Sequence, residues 1–177
     1  DQVAAIKYLP TQFKSLDKLN RKDPGTAQKI LEPYRANGQI FRWAILEYVL
    51  GSSDSHGANI LSDGNSIALI DHGSSFSGEG FSVLDTKTFA PYYLRMWSPK
   101  KFTTLPPDKK LEAMPTLNAE QEEVLRLWVE SIDENELSHI LGHYGITPGP
   151  SLRRLEKIRS MDGPFWQRIN KLWAGVE

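Results

Sequence analysis

The stretch SDSHGANILSDGNSIALIDHG, residues 53–73, decides the architecture of this chain. Two short apolar runs flank its Asp63-Gly64 pair, and this pattern is the strongest local signal for a β-hairpin. Before it, apolar residues repeat at helical spacing over residues 39–50, and Gly51 is placed to end that helix. The sequence therefore predicts a helix, a loop and an antiparallel hairpin, in that order.

The C-terminal half of the chain has helical patterns. Asn118 with Gln121, and Asp133 with Glu136, have the spacing of capping boxes, and Ser151 is placed to cap a further helix. The apolar residues expected on the buried faces of these helices are Val124, Leu125, Leu127, Trp128, Ile132, Leu137, Ile140, Leu141, Tyr144, Trp166 and Trp173.

The N-terminal part is less regular. Residues 11–37 are mixed and polar, with breaks at 23–25 and 37–38, and they predict only a short helix around 26–34. The fold class expected from the whole pattern is α+β and mostly α, with one small β-hairpin and several C-terminal helices.

Composition limits the possible classes of function. With 177 residues and 40% hydrophobic residues, the chain suits one compact domain with a real core. A net charge of −1 gives no electrostatic case for nucleic acid. The absence of cysteine excludes disulfides and thiolate chemistry, and it fits a cytoplasmic location. The basic pair Arg153-Arg154 is expected to be solvated.

Three oxygen-bearing side chains carry the chemical signal. Phosphoryl transfer requires a carboxylate near the acceptor hydroxyl, and Mg²⁺ held by hard oxygen ligands. Asp54 and Asn59 lie five positions apart, and the hairpin is expected to return Asp71 to the neighbourhood of Asn59. Each residue alone is most simply a turn residue. Their joint arrangement around one hairpin predicts the catalytic loop of an ATP-dependent kinase.

The same residues resemble a known family. Asp54-x-His56-x-x-Asn59 followed by Ile70-Asp71 is similar to the phosphatidylinositol 3- and 4-kinase superfamily, and its layout is nearest to the type II phosphatidylinositol 4-kinases and their bacterial and phage relatives. The resemblance implies the C-terminal lobe of a protein-kinase-like fold. It also implies that Asp54 is the catalytic aspartate, that His56 contacts the γ-phosphate, and that Asn59 and Asp71 hold magnesium.

Further residues would bind the nucleotide if the resemblance holds. Leu61 and Ile70 would lie against the adenine and ribose of ATP. Residues 1–10 would form the hinge between the two lobes, with a backbone amide near Tyr8 or Leu9 meeting the adenine edge. Residues 11–177 would then be the helical C-lobe-like domain.

The resemblance also bears on partners. The N-terminal lobe, with its nucleotide-covering loop, is expected to precede the hinge, so the isolated chain should bind ATP poorly and be inactive. The acceptor is the hydroxyl of a lipid headgroup or of a protein. Ser55 stands where lipid kinases usually carry Arg, which leaves that choice open. Candidates for contact with a membrane interface are Phe81, Trp97 and Phe102.

Two other classes of function remain in view. Residues 53–57 also match the Ser-Asp-x-His-Gly opening of metallophosphoesterases, in which Asp54 and His56 would bind metal. The later Gly-Asp-x-x-Asp and Gly-Asn-His motifs of that family are absent from the sequence. His139 and His143 are one helical turn apart, but no third ligand is evident. The second alternative is a degenerate kinase lobe that serves as a binding module.

Overall fold

The computed structural model describes residues 12–51, 56–69, 105–114, 116–160 and 164–174. These residues form eight α-helices, one 3-10 helix and a three-stranded antiparallel sheet, which confirms the mostly helical α+β class. The elements in chain order are β1 (Lys14–Ser15), α1 (Leu16–Lys22), α2 (Thr26–Ala36), α3 (Gln39–Leu50), the 3-10 helix (Gly57–Asn59), β2 (Ile60–Ser62), β3 (Ile67–Leu69), α4 (Pro107–Ala113), α5 (Ala119–Glu130), α6 (Glu134–His143), α7 (Gly149–Arg159) and α8 (Phe165–Ala174).

The predicted hairpin is present, and it belongs to a larger sheet. β2 pairs with β3 in antiparallel register, with Ile60 opposite Leu69 and Ser62 opposite Ile67. β1 pairs with the other edge of β2, so the order of strands is β1-β2-β3. The sequence did not predict β1, because Lys14–Ser15 is too short to show an alternating pattern. It did not predict α1 either, which lies in the mixed and polar stretch 11–37.

Helix α3 is the centre of the core. Seven of its twelve residues are buried, so it is covered on more than one face. It begins after Gly38 and ends at Gly51, and both glycines have the left-handed backbone that residues with a side chain rarely adopt. The predicted range 39–50 and the predicted cap are both confirmed.

Helix α8 contacts α3 through two pairs of aromatic rings that follow the same order along both helices. The ring of Trp166 lies 5.1 Å from that of Phe41, and the ring of Trp173 lies 6.2 Å from that of Tyr48. The spacing is seven residues, about 10 Å, on both helices. Both tryptophans are buried, as the sequence predicted, and they meet each other edge to face at 5.7 Å.

The expected apolar faces of α5 and α6 were wrong in part. Leu125 and Leu141 are buried, whereas Trp128, Ile132 and Leu137 are half-buried at the edge of the core. The exposed members of the predicted set are Val124 (48%), Leu127 (51%), Ile140 (47%) and Tyr144 (74%). Only one side of each helix packs against the core, so apolar residues on the other sides of the helix stay exposed to solvent.

The start of α7 also differs from the prediction. The helix begins at Gly149, with Pro148 as its N-cap, so Ser151 lies inside the first turns and is buried. Arg154, expected to be solvated, is 2% exposed. The buried residues at positions 151, 154, 155 and 158 follow the i, i+3, i+4, i+7 pattern of one helix face. Arg153 falls outside this stripe and is exposed.

In the described parts of the chain, no helix combines the length and apolar character needed to cross a bilayer.

Candidate functional site

The candidate site follows the C-terminal end of α3. The N–H of Gly51 donates to the carbonyl of Tyr48 at 3.1 Å, which ends the helix in a tight turn. From α7, Nε of Arg154 donates to the carbonyl oxygen of Val49 at 3.1 Å. A cation at this end of a helix also faces the negative end of the helix dipole. The last turn of α3, which ends four residues before Asp54 in the sequence, is thus held from a distant helix.

His56 is the first described residue of the loop that follows. Its backbone is extended, and it is the N-cap of the 3-10 helix. Its Nδ1 accepts a hydrogen bond from the backbone N–H of Ala58 at 3.2 Å. An accepting Nδ1 carries no proton, so the neutral ring has its proton on Nε2. Nε2 of the neutral His56 ring is therefore a hydrogen-bond donor.

Asn59 closes the 3-10 helix directly before β2. Its N–H donates to the carbonyl of His56 at 3.0 Å, and its side chain is half-buried. Because Ile60 lies opposite Leu69, the hairpin brings the chain back to the end of β2 where Asn59 lies. Leu69 is the last described residue before Ile70 and Asp71. The returning course of the chain agrees with the sequence prediction.

The two faces of the sheet differ in burial. Ile60 and Ser62 are each 1% exposed and face the core, together with the partly buried Ile67. Leu61 points to the other face, as alternation along a strand requires, and it is half-buried. Ala68 lies directly opposite Leu61 on β3 and is also half-buried. Leu61 and Ala68 form a small apolar surface that lies outside the core cluster of the described residues.

The turn of the hairpin is held by Asp63. Its Oδ1 accepts from the N–H groups of Asn65 at 2.9 Å and Ser66 at 2.8 Å, and from the Ser66 hydroxyl at 3.1 Å. The backbone bond from Ser66, followed by that from Asn65, lowers the pKa of the Asp63 carboxyl from its ordinary value. Asp63 thus has a structural role that the turn accounts for.

Three of the eight predicted site residues lie in the described parts of the chain. His56, Asn59 and Leu61 fall within six consecutive positions, and the 3-10 helix and β2 place them at one end of the sheet. The other five, Tyr8, Leu9, Asp54, Ile70 and Asp71, lie outside the described residues. Within the described ranges, no group of three or more His, Cys, Asp or Glu side chains is placed to hold a metal ion.

Helix α1 and strand β1 support the site from the N-terminal side. α1 packs against the 3-10 helix, and its first residue, Leu16, is fully buried. Ser15 pairs with Leu61 across the sheet, and its hydroxyl caps α1 by accepting from the N–H of Lys18 at 3.3 Å. The 3-10 helix is therefore fixed between a helix and a strand that the sequence did not predict.

A surface cavity lies at the opposite end of α3. Its volume is about 350 Å³. The residues that line it come from the turn before α3, the first turn of α3 and the start of α5, and they are Ala36, Asn37, Gly38, Phe41, Arg42, Leu117, Asn118, Glu120, Gln121, Val124 and Leu125. The twelve residues of α3, about 18 Å of helix, separate this cavity from the loop after Gly51. The cavity is not part of the predicted site.

The sequence did not predict the buried position of Arg154, which holds the end of α3 before the candidate loop. The signal was available, since position 154 belongs to the buried stripe of α7 that also contains Leu155 and Ile158. The charge of an arginine predicts exposure, whereas the helical spacing of position 154 predicts burial.

No protein-family model, curated protein or solved structure matches this chain.

Proposed function

We propose that this chain carries the catalytic and metal-binding half of an ATP- and Mg²⁺-dependent kinase, with the C-lobe architecture of the phosphatidylinositol 3- and 4-kinase superfamily. The observation that carries the proposal is the β2–β3 register, which returns the chain from Leu69 to the strand end where Asn59 lies. The loop with Asp54 leads into that same end through His56. In the sequence, Asp54 is two residues before His56 and Asp71 is two residues after Leu69, so each is close along the chain to a described segment at that end of the sheet.

Chain geometry supports the metal ligands. Asp71 is two residues beyond Leu69, which limits the distance between their Cα atoms to about 7 Å. Leu69 lies opposite Ile60, at a typical Cα separation of about 5 Å, and Ile60 is the neighbour of Asn59. An amide oxygen from Asn59 and a carboxylate from Asp71 are the hard ligands that Mg²⁺ takes in nucleotide sites. When bound, the ion would neutralise charge on the phosphates.

The hydrogen bond of His56 separates its role from that of Asp54. With Nδ1 accepting from the N–H of Ala58, the proton of the neutral ring is on Nε2, which makes Nε2 a donor. A donor suits a phosphate oxygen and does not suit removal of a proton from an acceptor hydroxyl. Asp54 is then the residue that orients or deprotonates the acceptor, and His56 contacts the γ-phosphate.

The face of the sheet that carries Leu61 and Ala68 suits the nucleotide by its apolar character. Leu61 and Ala68 form an apolar surface next to Asn59, with neither side chain taken up by the core. Adenine and ribose would lie on this surface, with Ile70 beside Leu61 and the backbone near Tyr8 or Leu9 at the adenine edge. An N-terminal lobe would cover the phosphates from the other side. The acceptor is a hydroxyl of a lipid headgroup or a protein.

The test is transfer of the γ-phosphate from radiolabelled ATP by the full-length gene product, against a panel of lipids and a panel of proteins. Asp71→Asn should lower transfer at least about a hundredfold, because it removes a charged metal ligand. Asp63→Asn is the matched control on the same hairpin. It keeps an oxygen that can accept from Asn65 and Ser66, so transfer should stay near the wild-type rate.

The outcome also separates the alternatives. Transfer to phosphatidylinositol alone assigns a lipid acceptor, and transfer to a protein alone assigns a protein acceptor. Hydrolysis of a phosphate ester without ATP, lost in His56→Ala, would show a phosphoesterase and overturn the proposal. Failure to transfer phosphate or to bind nucleotide would show a binding module and would overturn it as well.

A further inference from the structure

The cavity at the N-terminal end of α3 has an apolar floor and a polar rim. Phe41 and Leu125 are buried beneath it, and Leu117 is half-buried beside them. Val124 lies at the edge and is about half exposed. The volume of about 350 Å³ lies within the range of small-molecule sites in proteins. An apolar group of a ligand could therefore leave water at this place.

The three amide side chains of the rim all present their NH₂ groups. Oδ1 of Asn37 accepts from the N–H of Gln39 at 3.0 Å. Oδ1 of Asn118 accepts from the N–H of Gln121 at 2.9 Å, and Oε1 of Gln121 accepts from the N–H of Asn118 at 3.2 Å. A backbone N–H requires an oxygen acceptor, so the capping bonds fix which way each amide is turned. The rim offers donors because its amide oxygens are already used.

Arg42 adds a positive charge to this set of donors. Arg42 lines the cavity, and its guanidinium lies 5.7 Å from the centre of the Trp128 ring, a cation–π contact that restricts the side chain. Within the parts of the chain that the structure describes, it makes no ion pair. The other arginines of these helices, such as Arg35 and Arg126, are paired with carboxylates on their own helices. Arg42 is therefore a restrained cation with no carboxylate partner among the described residues.

The geometry points to a binding site for a small monocarboxylate with an apolar body. The carboxylate would accept from Arg42 and from the amides of Asn118 and Gln121, and the alkyl or aryl body would lie against Val124 and Leu117 above the buried floor. Glu120 also lies at the rim and would repel a second negative charge. A monoanion fits this balance better than a phosphate dianion. The site is independent of the proposed kinase chemistry, since α3 separates the two.

Octanoate is the probe, with binding to the whole chain measured by calorimetry and by NMR of the side-chain amides. Saturable binding is expected, with shifts in the NH₂ signals of Asn37, Asn118 and Gln121. Arg42→Gln should weaken the affinity at least about tenfold, because it removes a charge-assisted hydrogen bond. Arg21→Gln makes the same change of charge on the exposed side of α1 and should leave the affinity unchanged.

A second variant keeps the test decisive if Arg42→Gln folds poorly. Glu120→Gln removes the repelling charge from an exposed position and should tighten octanoate binding by about twofold to fivefold. The neutral analogue 1-octanol should bind at least about tenfold more weakly than octanoate. Absence of saturable binding would overturn the proposal. So would equal affinities for acid and alcohol, or equal affinities of Arg42→Gln and Arg21→Gln.

Discussion

An arginine side chain lies at each end of helix α3, one from α3 itself and one from α7, and the two differ in burial. At the N-terminal end, Arg42 is half-buried at the mouth of a cavity and has an aromatic neighbour, Trp128. At the C-terminal end, Arg154 is 2% exposed and bonds the carbonyl of Val49. One end of α3 borders a surface cavity, and at the other end the arginine is enclosed by the fold. The two arginines therefore differ in burial and in the partner that each contacts.

Helix α8 connects these two ends. Trp166 packs on Phe41 beneath the cavity, and Trp173 packs on Tyr48 close to the turn at Gly51. Since α8 packs against both ends of α3, a substitution in the core of α8 should affect both ends. A substitution of Arg42 or Arg154 should affect only the end where that arginine lies. The predictions below test this separation.

The largest effect is expected from Trp166→Ala. The side chain is 2% exposed and touches both Phe41 and Trp173, so its removal leaves a cavity in the core. The free energy of unfolding should fall by about 3–5 kcal/mol, measured by urea denaturation. Trp128→Ala, at a half-buried position on α5, should lose about 1–2 kcal/mol because less surface is buried there. Equal losses would contradict the core position assigned to Trp166.

A smaller loss is expected from Arg154→Ala. The change removes a buried side chain and leaves the carbonyl of Val49 without the Nε donor, so the free energy of unfolding should fall by about 2–3 kcal/mol. The neighbouring Arg153 is exposed, and Arg153→Ala should stay within about 0.5 kcal/mol of the wild type. Chemical denaturation of the two variants measures this directly.

Octanoate binding by the Arg154 variant tests whether the two ends of α3 are coupled. Octanoate affinity should be unchanged in folded Arg154→Ala, because the cavity is at the far end of α3. A loss of affinity similar to that of Arg42→Gln would show that the two ends are coupled.

The smallest effect is a pH response of the hairpin turn. The ionised Asp63 carboxylate holds the N–H groups of Asn65 and Ser66, so its pKa is lowered in the folded chain. The contribution of Asp63 to the stability of the turn is therefore complete above the ordinary pKa of an aspartate. It is lost as the pH falls through the lower pKa of the folded chain. The amide NMR signals of Asn65 and Ser66 should move together in that acidic range. In Asp63→Ala that shared transition should be absent, and its persistence would assign it to another group.

The candidate site was predictable where its residues are close in sequence. His56, Asn59 and Leu61 lie within six positions, so the loop, the 3-10 helix and the strand necessarily place them at one end of the sheet. The cavity could not be foreseen in this way. Its walls come from residues 36–42 and 117–125, about eighty positions apart, and only packing brings them together.

The sequence by itself determined the elements whose cause is local. The apolar spacing and flanking glycines defined α3, the Asp63-Gly64 turn defined the hairpin, and Asn118 with Gln121 formed the reciprocal cap of α5. Each depends on contacts within a few residues.

Tertiary structure decided which faces became core. It left Leu127 in solvent, buried Arg154, and added Lys14–Ser15 to the sheet as β1. These outcomes depend on which distant element covers a residue. The free energy of burial depends on the element that covers a residue. The local spacing of apolar residues is compatible with several buried faces and does not determine which face will be covered.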